Sequence, residues 1–186
     1  MEPIPRRSGG CQAGAMPTNQ ERALTRPHLE VWPRDAWQSG AGGFRRFEKT
    51  VVLGEGDALW DRAAADVLLW RVKTRSGFEV HPAHIPTAVG ARQTIVAGWG
   101  GVRILEPVEV VAVVEEPDRV GFAYRTLPGH PVSGEEAFVV RRVDGRVEFT
   151  IRSLTRPAPS GPWRVLYPVL RAAQLVVRWR YLRALR

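Results

Sequence analysis

The sequence predicts an α+β fold, in which a curved antiparallel sheet grips a long C-terminal helix and one further helix follows the first strand. Three observations predict it. Between about residues 92 and 154, successive segments alternate apolar and polar residues with a period of two, as strands with one buried and one wet face do. Two other segments, near 58–73 and 164–185, carry their apolar residues at the spacing of a helix. No strand–helix–strand alternation follows the first helix, so the crossovers that a parallel sheet needs are missing.

The 186 residues have room for one domain of about 150 residues and a tail. Residues 1–30 are rich in Pro, Gly, Ser, Gln and Arg and show no apolar period, which is the composition of a disordered tail. Met16 is an alternative start within it, and residues 31–186 form the single α+β domain. Leu29 to Trp37 carries two tryptophans beside Pro33, suited to packing onto the domain as a loop.

The first strand is expected over Phe44–Leu53. Gly54-Glu55-Gly56 turns the chain, and Asp57 is the expected N-cap of a helix over Ala58–Lys73 whose Trp60, Ala63, Ala64, Val67, Leu68 and Arg71 share one face. Gly77 stops it. His81-Pro82 and His84-Ile85-Pro86 form an irregular connection. The prolines leave no helix to aim both rings, and no cysteine is near, so no metal site is expected there.

The strands then follow in succession. Arg92–Trp99 joins Val102–Glu115 through Gly100-Gly101, and the second of these is expected to bend near Pro107. Val120–Thr126, Ala137–Arg142 and Arg146–Leu154 come next, the last two joined by Val143-Asp144-Gly145, where Asp-Gly marks a two-residue hairpin turn. The proline-rich run from Arg156 to Pro162 ends the sheet. A final helix over Arg164–Leu185 has Leu166, Val169, Leu170, Ala173, Val176, Val177 and Ala184 on one stripe, with Arg164, Arg171 and Arg178 off it. It is expected to pack on the sheet while its arginine stems cover the rim. The alternative is that this basic amphipathic helix lies on a membrane surface. This order of elements is that of the helix-grip, or START-like, arrangement, which leaves an apolar cavity between sheet and helix.

Candidate chemistry concentrates in Gly121–Arg142, GFAYRTLPGHPVSGEEAFVVRR. The TLPGHP and GEEAF pair at this spacing, followed by VDGRVEFTIRSLTRPA and an arginine-rich helix, resembles the DUF1990 family, also called uncharacterised protein family 0548, over roughly residues 44–185. The resemblance implies one domain over that span and brings no established reaction with it. From the residues themselves, Glu135 and Glu136 are neighbours on a strand and point to opposite faces, with Glu136 inward beside Phe138 and Val140. A ligand cavity would be lined by Phe122, Tyr124, Phe138, Phe149 and Ile151, with Glu136, His130 and Arg156 as its polar groups. A small apolar or amphipathic molecule is the expected partner.

An enzyme using His130 and Glu136 as general acid and base, oriented by Tyr124, is the competing expectation. No nucleophile elbow, phosphate loop or dinucleotide fingerprint is present, so the balance leans away from an enzyme, and no cofactor or metal is expected. The net charge is +8, yet all basic residues but Lys49 and Lys73 are arginine and most are scattered, which makes nucleic acid an unlikely main partner. No apolar run reaches the roughly 18 residues of a membrane span, no signal peptide is evident and Cys11 has no disulfide mate, so a cytoplasmic location is expected.

Overall fold

The computed structural model describes residues 23–33, 43–99 and 101–186. The readings placed on residues 1–22, with Cys11 and Met16, and on Trp37 and Gly100 lie outside them. Seven strands, β1 (Arg45–Glu55), β2 (Phe78–His81), β3 (Arg92–Trp99), β4 (Val102–Glu116), β5 (Arg119–Thr126), β6 (Val132–Val143) and β7 (Arg146–Pro157), make one antiparallel sheet in the order β1-β7-β6-β5-β4-β3-β2. The meander from β2 to β7 pairs each strand with the next, and β1 closes on β7 at the far edge. The helices are α1 (Asp57–Leu68), α2 (Arg71–Thr74), α3 (Pro162–Val165) and α4 (Tyr167–Tyr181). Among the described residues, no helix is long and apolar enough to cross a membrane.

Local chemistry accounts for most of the boundaries. The β6–β7 turn holds Asp144 at φ 49° and Gly145 at φ 78°, the left-handed pair that a two-residue hairpin requires and that Asp-Gly accepts readily. Asp57 is not a cap as expected. Gly56 occupies that position, Asp57 is the first helical residue, and its carboxylate instead takes Arg142 of β6 at 2.6 Å. The expected single helix over 58–73 is broken, because Trp70 adopts a left-handed conformation at φ 60° between α1 and α2. That kink lays the Trp70 ring on Phe122 and Tyr124, with centroids 4.5 and 5.4 Å away. β2, a short strand not foreseen, pairs with β3 from Phe78 to His81.

The inner face of the sheet carries the main core: Ile95, Val108, Val110, Phe122, Phe138, Phe149 and Ile151 are buried against α1, Trp70 and the end of the chain. In β4 a bulge lies at Val111. Val110 opposes Tyr124 and Ala112 opposes Ala123, so one extra residue shifts the register and changes which face each side chain takes. Val110 therefore joins the inner core, while Ala112 packs with Ala123 and Ala137 on the outer face.

Residues 23–33, most of them read as tail, form a strap on that outer face. Glu135 accepts the Thr25 backbone N–H at 2.7 Å and the Leu24 N–H at 3.1 Å, and Arg152 donates to the carbonyls of Arg26, Leu29 and Glu30 at 2.7–2.9 Å. Trp32 is buried under the Arg46 guanidinium, 4.4 Å from its ring. The packed part of the chain thus reaches back to Ala23, because two buried charges on the sheet need the strap's backbone as their partner.

The last helix also differs from its expected stripe. Tyr181, Ala184 and Leu185 are buried in the main core, and Leu170 and Val177 are half-buried. Leu166, Val169 and Val176, placed on the same stripe, are exposed. Only the C-terminal end of the helix is anchored. The rest roofs a cavity.

Candidate functional site

Cross-strand register builds the site's centre. Tyr124 of β5 lies directly opposite Glu136 of β6, and Phe122 opposite Phe138, so one inner-face row runs from apolar rings to a phenol–carboxylate pair. Tyr124 donates its hydroxyl to Glu136 Oε2. Lys73, carried by α2 just beyond the Trp70 kink, donates to the same oxygen at 3.0 Å and to the Tyr181 hydroxyl at 2.5 Å. The ammonium also sits near the rings of Phe78, Tyr124, Phe138 and Tyr181, with centroids 4.6–5.6 Å away. Burial, with Glu136 close by, pushes both phenols well above their usual range, so they remain protonated at neutral pH.

A cavity of about 180 Å3 opens from this cluster, between the sheet and α4. Phe78, Ile104, Val132, Leu170 and Val177 give it apolar walls. Gly134 at its edge lies so close to β7 that a Cβ there would fall 1.8 Å from the Leu154 carbonyl oxygen, so only glycine fits. On the β4 and loop side, Glu106 faces His130, with 3.9 Å between Oε2 and Nε2. Burial raises the Glu106 carboxyl, Lys73 opposing it. Burial, aided by Lys73, lowers His130 to about 4. His130 Nδ1 accepts the Val132 N–H at 3.1 Å, so the neutral ring carries its proton on Nε2, on the side of Glu106 but beyond hydrogen-bond distance of it.

Arg178 of α4 lines the same cavity. Its guanidinium lies 4.0 Å from the Phe47 ring centroid and makes one long contact, 3.4 Å, to Ser153 Oγ. Among the described residues no carboxylate comes within salt-bridge distance of it. The cluster therefore holds one ion pair, Lys73–Glu136, with Arg178 beyond salt-bridge distance but within the field of the same Glu136 carboxylate, and Glu106 as a second carboxyl on the cavity. No group of three or more His, Cys, Asp or Glu side chains suited to a metal occurs among the described residues.

The family model described as "Domain of unknown function (DUF1990)" matches residues 33–184. This chain belongs to the DUF1990 family. The UPF0548 protein of Deinococcus radiodurans is 36% identical over 137 residues, covering 67% of this chain and 68% of that one. Among solved structures, a hypothetical protein from Helicobacter pylori superposes with a TM-score of 0.60 at 16% identity, over 83% of this chain and 92% of its own. The ZhuI aromatase/cyclase from Streptomyces sp. R1128 gives 0.53 at 20% identity, over 77% and 92%. At these identities the likeness is one of fold.

In this DUF1990 chain, Tyr124, His130 and Glu136 all border the cavity, and Glu136 is the inward member of its pair. Glu135 sends its carboxylate to the strap instead. Phe122, Phe138, Phe149 and Ile151 share the inner face but are wholly buried in the core beneath, and they are not among the lining residues. Arg156 is elsewhere. It stacks on Phe44 at 4.6 Å and reaches Ser133 Oγ, because Arg152, Leu154 and Arg156 fall on the outer side of β7. The arginine on the cavity is Arg178, which the heptad spacing had grouped with the exposed Arg164 and Arg171. Lys73, Tyr181 and Glu106 were also missed. One sequence signal existed for Lys73, one of only two lysines in a chain whose other cationic side chains are arginine.

Proposed function

We propose that this DUF1990 domain is a helix-grip, START-like module that binds a small amphipathic molecule between the sheet and α4. The observation that carries the reading is the cavity itself: apolar walls, a buried hydrogen-bonded cluster at its inner end, and Arg178 with no salt-bridged carboxylate among the described residues. Its volume, about 180 Å3, is close to the roughly 150 Å3 apolar cavity that accepts benzene, so the occupant has about six to ten heavy atoms. A guanidinium on an apolar cavity with no carboxylate in direct contact favours a ligand with one carboxylate or similar anionic group. Tyr124, Glu136 and Lys73 act as a fixed polar wall against which the ligand orients.

The experiment is a thermal-shift series with matched pairs, phenylacetate against phenylacetamide and benzoate against benzamide. The acids are expected to raise the melting temperature more than the amides, and Arg178→Gln is expected to erase the difference. Val177→Phe, which fills the cavity, is expected to abolish both shifts. Equal, Arg178-independent shifts would remove the anionic-group part of the reading, and no shift with any probe would remove the reading itself.

A second reading, an acid–base enzyme, is favoured by one arrangement: a neutral histidine and a raised carboxyl side by side at one wall of the cavity. The pair is His130 with Glu106, since Glu136 is held by Lys73 and Tyr124. His130, with Nδ1 occupied, would donate from Nε2, and Glu106 would exchange the proton. Solvent-deuterium exchange into a bound ketone or acid, lost in Glu106→Gln, is the expected signature; exchange unchanged by that substitution would discard this reading.

A further inference from the structure

Among the described residues, the outer face of α4 has no partner. Counting 100° per residue, Leu170, Val177 and Tyr181 share the side turned to the sheet, while Val169, Leu175, Val176 and Trp179 share the opposite side. Those four are 55–68% exposed. Val165, one turn earlier on the same side, is 81% exposed. A helix that only covers its own sheet carries polar residues on this side. Here large apolar side chains stand in water over about three turns, with a tryptophan among them.

The charges around this face are of one sign. Residues 149–186 contain eight arginines and no Asp or Glu. Arg164 and Arg171 fall along one flank of the apolar stripe and Arg180 along the other, all three exposed. Arg183, also exposed, lies 3.7 Å over the Trp179 ring. Apolar side chains that insert, cations that flank them and a tryptophan at the border are together the composition of a helix lying in the plane of a membrane interface. A second copy of the chain fits poorly, because a two-fold contact would set one arginine flank against another.

We propose that the outer face of α4 is a docking surface for an anionic lipid bilayer. Val169, Leu175, Val176 and Trp179 enter the headgroup–acyl boundary, and the arginines hold the lipid phosphates and carboxylates. The proposal does not depend on what the cavity binds. It does place the cavity roof against the lipid, so that docking and access to the cavity involve the same helix.

Flotation of the full chain with vesicles of phosphatidylcholine alone, or mixed with phosphatidylserine at roughly 3:1, tests it. Binding is expected only to the acidic vesicles, and is expected to fall steeply between about 0.1 and 0.5 M salt as the charges are screened. Arg164→Gln with Arg171→Gln should lower the partition coefficient about 25-fold, roughly fivefold per charge. The matched Lys pair should keep it. Leu175→Ser with Trp179→Ser should abolish flotation at low salt, with the melting temperature unchanged because both side chains are exposed. Equal binding to neutral vesicles, no binding to either, or binding that survives both double variants overturns the proposal. So does a lipid-free dimer that Leu175→Ser dissolves, which would assign the face to a second copy.

Discussion

Lys73 Nζ lies 3.0 Å from Glu136 Oε2 at the inner end of the cavity, joining the short helix after Trp70 to the middle of the sheet across 63 residues of chain. Their side chains are 4% and 16% exposed, so each is the other's principal charge partner in a poorly solvated place. Lys73→Met would leave the carboxylate with the Tyr124 hydroxyl and only the more distant Arg178 as counter-charge. The expected loss, read by denaturant unfolding, is about 3–5 kcal/mol. Lys73→Met with Glu136→Leu should recover at least half of it, because an apolar pair needs no counter-charge. A double variant no more stable than the single one would show that the pair shapes the core in some other way.

His130 gives the fold a sensitivity to acid. Burial holds it neutral in the folded state down to about pH 4, whereas the unfolded chain takes up its proton near 6.5. Between those values the unfolded state binds more protons, so stability that is full above about pH 6.5 is lost as pH falls. Glu106 and Glu135, raised by burial, act in the opposite sense, gaining their protons first in the folded state and stabilising it as pH falls toward 4.5. His130→Gln removes the destabilising component. Its stability should fall less between pH 7 and pH 4.5 than the parent's, by up to about 3 kcal/mol. Parallel pH profiles for the two proteins would contradict this assignment.

The C-terminal helix is held by its end rather than along its length. Leu185 is fully buried in the core, and Leu175 is 68% exposed. Leu185→Ala is therefore expected to cost about 2–5 kcal/mol and Leu175→Ala less than about 0.5 kcal/mol. Truncation after Gly161 removes Tyr181 and Leu185 together and should prevent cooperative folding. Similar costs at positions 175 and 185 would mean that α4 packs along its whole length.

The strap on the outer face depends on Arg152, which donates to four strap carbonyls and to Glu48 Oε1. Arg152→Met should release residues 23–33 to limited proteolysis and cost about 3 kcal/mol, since it leaves buried carbonyls without donors. Protection of that segment at the parent level in the variant would show that Trp32 and Glu135 suffice to hold it.

Much of this was legible in the residues. Residue patterning gave six of the seven strands and the inward side of Glu136, and Asp144-Gly145 located the hairpin, because both signals act within a few residues. What escaped needed distant information. Helical periodicity passes through Trp70 without a break, and only the rings of Phe122 and Tyr124 explain its left-handed turn. The extra residue at Val111 leaves no trace in a strand apolar on both sides. α4 is apolar on two faces, so which face turns inward, and with it whether Arg178 or Arg171 meets the cavity, is decided by where Tyr181 and Leu185 anchor. The strap's composition is that of a tail, and its order comes from Glu135 and Arg152 more than a hundred residues away.

The most direct test of the ligand-binding account is a crystal structure of the protein soaked in phenylacetate. The account predicts one molecule between the sheet and α4, its ring against Ile104, Leu170 and Val177 and its carboxylate on the Arg178 guanidinium, with the Lys73–Glu136 pair undisturbed. A cavity closed by movement of α4, or holding only ordered water at saturating phenylacetate while the same acid leaves the melting temperature unchanged, would contradict it.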